Sequence, residues 1–117
     1  MRAIIADVSS ADVDLESFYP KTPDNFSVLV RLLVRPSDSD GEESFDVNVC
    51  TPAWLKDEVR RIGPIDGRHH LVVLAWEFHA IRDALARRFE REVGEDWAEL
   101  AGRLARYGYW EFEDYRQ

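Results

Sequence analysis

With 117 residues the chain has the length of one domain, 1–117, able to bury roughly two thirds of the surface its unfolded form exposes, and a second domain is not expected. Its 15 basic against 23 acidic residues give a formal net charge of -8, which opposes direct binding to nucleic acid or to an anionic membrane and makes basic proteins the natural partners. The longest strongly apolar run, Leu71 to Trp76, is far below the ~18 residues that span a bilayer, Arg2 to Asp7 is too short for a signal peptide, and the single Cys50 forbids an internal disulfide, so the expectation is a soluble, cytoplasmic protein.

Residues 2–9 read as a short strand carrying Ile4, Ile5 and Val8. An acidic loop follows through Asp12, Asp14 and Glu16 to Pro20 and Pro23, and its Phe18 and Tyr19 are expected to lie against the body. Phe26 to Arg35 is a second strand, with Phe26, Val28, Val30, Leu32 and Val34 on one face and Leu29, Arg31, Leu33 and Arg35 on the other. Two partly apolar faces favour a central position in a sheet. Pro36 ends this strand, and Ser37 to Glu43 has the small, polar, glycine-containing composition of a hairpin connection.

Glu43 to Cys50 is the third strand, in which Phe45, Val47 and Val49 alternate with Asp46 and Asn48. Thr51-Pro52 starts a helix, with a capping hydroxyl followed by a residue that needs no amide hydrogen. That helix reaches about Ile62, with Trp54, Leu55, Val59 and Ile62 as its buried stripe and Gly63-Pro64 as its stop. Gly67 to Trp76 is the fourth strand, expected to run parallel to the third across this crossover.

From Glu77 to Val93 the spacing of Phe78, Ile81, Leu85, Phe89 and Val93 follows a helical period, closed by Gly94. Asp96 and Glu99 stand as a capping box opening a third helix whose stripe is Trp97, Leu100, Ala101 and Leu104, and Gly108 ends it. In the closing Trp110-Glu111-Phe112-Glu113-Asp114-Tyr115, alternation puts Trp110 and Phe112 on one side of an extended segment and Glu111 and Glu113 on the other. A terminus so composed is expected to be docked. The fold class is α+β: a single domain with a four-stranded, mixed but mostly antiparallel sheet and about three helices packed on one face.

Chemistry has few footholds. Arg68-His69-His70 lies on the fourth strand, where neighbouring side chains point to opposite faces, so His69 and His70 do not converge on a metal ion. One hydrogen-bonded inner imidazole, with Arg68 and the other ring covering the sheet edge, is the simpler reading. Cys50 beside one of these histidines is the remaining route to a thiol enzyme, against the commoner role of a small buried apolar residue. His79 lies off the apolar stripe of its helix and reads as a surface residue. The six glycines are scattered among turns and caps, so no phosphate loop is present and no cofactor is expected.

Charge patterning is more informative: Asp38, Asp40, Glu42, Glu43 and Asp46 are five acids within nine positions that hold no base. A solvated hairpin tip explains such a run as well as a partner surface does. Taken together, Pro23-Asp24-Asn25-Phe26, Glu42 to Val47, Val49-Cys50-Thr51-Pro52 with Trp54-Leu55, Gly67 to Leu71 and Trp110 to Tyr115 resemble the immunity protein 8 family of bacterial polymorphic toxin systems. Ala75-Trp76-Glu77-Phe78-His79 departs from that family's pattern, which puts the partner's identity rather than the fold in question.

The resemblance implies a non-catalytic α+β domain that binds a cognate toxin in the cytoplasm and blocks it. It supplies no catalytic residues, metal or cofactor. On this reading the partner is a basic protein toxin, a nuclease matching an acidic inhibitor best, and the contact falls to Asp38, Asp40, Glu42 and Glu43 with Trp110, Glu111, Glu113 and Asp114. Exposed members of Trp54, Trp76, Tyr109, Trp110 and Tyr115 would add anchors, although core packing is the better account of most of them. The alternatives are a small enzyme or metal-binding protein using His69, His70 or Cys50, and a general acidic protein-binding module. Oligomeric state is not readable from the sequence.

Overall fold

Three antiparallel strand segments open the chain and a split edge closes it. The computed structural model describes residues 1–113, in the order β1 (Ala3–Ser9), β2 (Ser27–Pro36), β3 (Glu43–Cys50), α1 (Pro52–Ile62), β4 (His70–Val72), α2 (Phe78–Glu90), α3 (Trp97–Leu104) and β5 (Tyr109–Trp110). The strand order is β1-β2-β3-β4, with β5 also pairing with β3. β1/β2, β2/β3 and β3/β5 are antiparallel and β3/β4 is parallel, so the expected mixed sheet forms with β2 in its interior.

Alternation on β2 and β3 sets the core. Val28, Val30, Leu32 and Val34 face Phe45, Val47 and Val49, and all seven are essentially inaccessible to solvent. Ile81, Leu85 and Phe89 from α2 and Leu100, Ala101 and Leu104 from α3 complete this layer. The opposite sheet face, carrying Leu29, Arg31, Asp46 and Asn48, remains open, with Arg31 and Asp46 joined by two hydrogen bonds of 2.9 and 3.1 Å.

Several expectations require correction. β4 has three residues rather than the ten from Gly67 to Trp76. Two limits set its length: β5 takes Phe45 and Asp46, which blocks extension before His70, and β3 ends at Cys50, the partner of Val72, where the chain enters α1. Trp76 leaves the sheet and packs edge-on against Phe18 and Phe26, with centroids 5.1 and 5.9 Å away. α1 has its expected hydroxyl cap, Thr51 accepting from the Trp54 amide, yet it buries no residue completely. Val59 and Ile62 of its anticipated stripe are exposed. Tyr19 is also exposed, at 80 %, while its neighbour Phe18 does pack inward.

α2 and α3 end earlier than Gly94 and Gly108 suggested, and both glycines serve close packing instead. At α3 only half of the capping box forms: Asp96 accepts from the Glu99 amide at 2.8 Å, while Glu99 pairs with Arg103. A Cβ at Gly108 would stand 3.0 Å from the Phe45 Cβ and 3.1 Å from the Phe89 ring. Gly108→Ala should therefore destabilise the fold by about 1–3 kcal/mol through overpacking, read as a lower melting temperature; an unchanged melt would show that the tail does not press on Phe45.

Candidate functional site

The hairpin between β2 and β3 turns through Gly41 at φ 100°, a conformation suited to a residue without a Cβ. Its base is fastened by the Ser37 amide donating to the Arg2 carbonyl at 2.9 Å and by the Ser37 hydroxyl accepting from the Arg2 amide at 3.1 Å. Beyond that fastening Asp38, Asp40 and Glu42 are exposed, and their carboxylates have no partner among the described residues. Like charges held on a short turn and left unpaired project a field into solvent.

Glu43 behaves differently. Its two carboxylate oxygens accept from the indole N–H groups of Trp97 and Trp110 at 2.6 and 2.8 Å. Phe45 lies between those rings, stacked on Trp110 at 6.2 Å and edge-on to Trp97 at 6.4 Å. One carboxylate thus ties α3 and the tail to the first residue of β3.

The tail acids are likewise engaged. The Ser44 amide donates to Glu111 Oε1 at 2.7 Å and the Glu111 amide donates to the Ser44 carbonyl at 3.2 Å, which continues the β3/β5 ladder by one side chain. Arg68 donates to Glu113 at 2.6 Å and to the Ala105 carbonyl at 3.2 Å. After Trp110 the chain turns, with the Glu113 amide donating to the Trp110 carbonyl, so the expected extended run stops at residue 110 and Phe112 meets Trp110 edge-on at 6.2 Å. Asp114 and Tyr115 lie outside the described residues.

β5 therefore brings Glu111 next to Ser44, beside the hairpin that carries the free acids. Of the candidates within the described residues, Asp38, Asp40 and Glu42 are free, whereas Glu43, Trp110, Glu111 and Glu113 are built into the fold. Among the candidate anchors, Trp54, Trp76 and Trp110 are half-buried, and Tyr109 is 60 % exposed.

Pairing with Asp46 turns Tyr109 toward the open sheet face. With Leu29, Asn48, Arg68, His69 and His70 it borders a shallow, largely apolar groove of about 360 Å³. The sequence pattern put Leu29 on the second face of β2 with Arg31, Leu33 and Arg35, but nothing in it placed Leu29 near Tyr109.

The histidines are spent on backbone contacts. His69 Nε2 lies 2.6 Å from the Ala105 carbonyl and His70 Nδ1 lies 2.8 Å from that of Arg68. His69 adopts φ 67°, and its ring stands edge-on to Tyr109 at 5.3 Å. No group of three His, Cys, Asp or Glu side chains among the described residues is placed to hold a metal. Cys50 is fully buried, and that burial pushes its thiol above the ordinary range. Native protein should therefore resist iodoacetamide at neutral pH over a period in which the unfolded chain labels fully; fast native labelling, seen by mass, would reveal an accessible thiolate.

Charge is distributed unevenly along the fold. Residues 52–106, which include all three helices, carry ten acids and ten bases; residues 1–51 carry ten acids and four bases, and residues 107–117 three acids and one base. The whole excess of -8 thus belongs to β1–β3, their connections and the tail. No helix of the described residues is long and apolar enough to cross a membrane.

Comparison with curated proteins and with solved structures returned no match. A family model, that of immunity protein 8, matches residues 3–115. The class so defined is that of the non-enzymatic toxin inhibitors of polymorphic toxin systems. Within that class, the chain belongs to the immunity protein 8 family, and membership implies neutralisation of a cognate toxin.

Proposed function

We propose that this protein neutralises its toxin by occlusion, covering a basic surface with the acidic one formed by the β2–β3 hairpin and the adjoining tail. The observation that supports this reading is the share of the excess negative charge carried there, -3 in residues 27–51 and -2 in residues 107–117, with Asp38, Asp40 and Glu42 held unpaired at the hairpin tip. Long-range attraction speeds encounter, and close packing of neighbouring apolar groups slows release. Tyr109, Glu111, Glu113 and Asp114 complete the contact on the tail side. A nuclease suits this inhibitor best, since a protein that must attract phosphates is itself basic. The complex forms in the cytoplasm.

Co-purification with the protein encoded by the adjacent gene, followed by rescue of growth when both are expressed, tests the reading. Expected are a stable complex and restored growth. A neighbour that neither binds nor harms the cell would leave a general acidic binding module as the better description.

A further inference from the structure

β1 ends the sheet. On one side it pairs with β2; on the other, the outward backbone groups between Ile4 and Ser9 make no hydrogen bond to any described residue. Only the segment before it is tied down, through the Arg2–Val93 bridge and the Gly94 amide donating to the Met1 carbonyl. An edge of this kind is a template for another strand unless something covers it. The pairing register shifts between Ile5 and Asp7, leaving Ala6 and Asp7 exposed at the middle of the free stretch.

A groove of about 390 Å³ runs beside that edge. β1 walls it from Ile5 to Val8, α2 walls it with Phe78, Asp83 and Glu90, and Glu16 of the following loop also borders it. A slot between a strand edge and a helix offers an incoming chain main-chain partners on one side and a surface for alternate side chains on the other.

Its charge selects the occupant. Glu16, Asp83 and Glu90 are exposed, and none of their carboxylates has an ion-pair or hydrogen-bond partner among the described residues. Arg82 is the one base of the lining, and its guanidinium sits 5.7 Å over the Phe78 ring and 3.3 Å from His79 Nδ1. Arg87 and Arg91 border a separate depression with Glu90.

We propose that an extended segment of the toxin, bearing lysine or arginine side chains, adds to β1 as a further strand, its backbone pairing with the free edge and its cations meeting Glu16, Asp83 and Glu90. This rests on the immunity reading and names the element of the partner that the edge receives. It also gives the inhibitor a second contact, on the opposite edge of the sheet from the tail strand β5.

The test uses the full chain and the protein encoded by the adjacent gene. In the complex, amides from Ile4 to Ser9 should exchange with solvent at least tenfold more slowly than in the free protein. Ala6→Pro, which constrains the exposed middle of the edge and removes its backbone N–H, and the double replacement D83K/E90K, which leaves β1 untouched, should each weaken binding at least tenfold with an unchanged far-ultraviolet spectrum. Should Ala6→Pro fail to fold, the charge reversal and the exchange measurement decide. A wild-type complex in which β1 amides exchange as before, and which D83K/E90K leaves at wild-type affinity, would overturn strand addition while sparing the immunity reading. Absence of any complex would remove both.

Discussion

Glu43→Gln should lower stability by about 2 kcal/mol and the melting temperature by roughly 8 °C. The carboxylate offers an acceptor to each of two indoles, at 2.6 and 2.8 Å. An amide keeps one acceptor and turns an NH₂ toward the other indole N–H, so one half-buried donor loses its partner and meets another donor. Glu43→Ala leaves both donors unpaired and should cost more. The accompanying signal is a shift in tryptophan fluorescence, because Trp97 and Trp110 flank Phe45 and both lose their tether. A Gln variant melting within 1–2 °C of the parent would mean that Glu43 is free to act at the surface like its neighbours.

Neutralising Asp38, Asp40 and Glu42 together, as D38N/D40N/E42Q, should do the reverse: leave stability within about 0.5 kcal/mol and slow association with the toxin about tenfold at low salt. These groups are exposed and their carboxylates have no partner among the described residues, so their removal subtracts field rather than structure. The dissociation rate should change much less, and the dependence of association on ionic strength should flatten. Identical association rates and salt slopes for variant and parent would eliminate electrostatic steering by the hairpin. Including Glu43 or Glu111 in such a variant would confound the result, since both hold the tail in place.

The contrast between these two experiments marks where the sequence is readable. Alternation along β2 and β3 identifies the buried residues of both strands because one face of each is wholly apolar, and that signal is local. The helical period correctly located α1, yet burial of Val59 and Ile62 depended on what lies opposite them, which the period does not record. The expected β4 is too long because its bounds are set elsewhere: by the end of β3 at Cys50 and by β5, a competitor for the same edge almost forty residues away. The five acids from Asp38 to Asp46 look alike in sequence, but they fall into three situations. Asp38, Asp40 and Glu42 are free, Asp46 is paired with Arg31, and Glu43 is held by indoles 54 and 67 positions distant. No neighbour in the chain announces that last contact.

The edge shared by β4 and β5 also bears on timing. Tyr109 and Trp110 are made after α1, β4, α2 and α3, so during synthesis β3 waits with half of one flank bare until those later residues arrive. A chain stopped before Tyr109 would leave Phe45 and Asp46 without a partner on that flank and Glu43 with one of its two indole clasps.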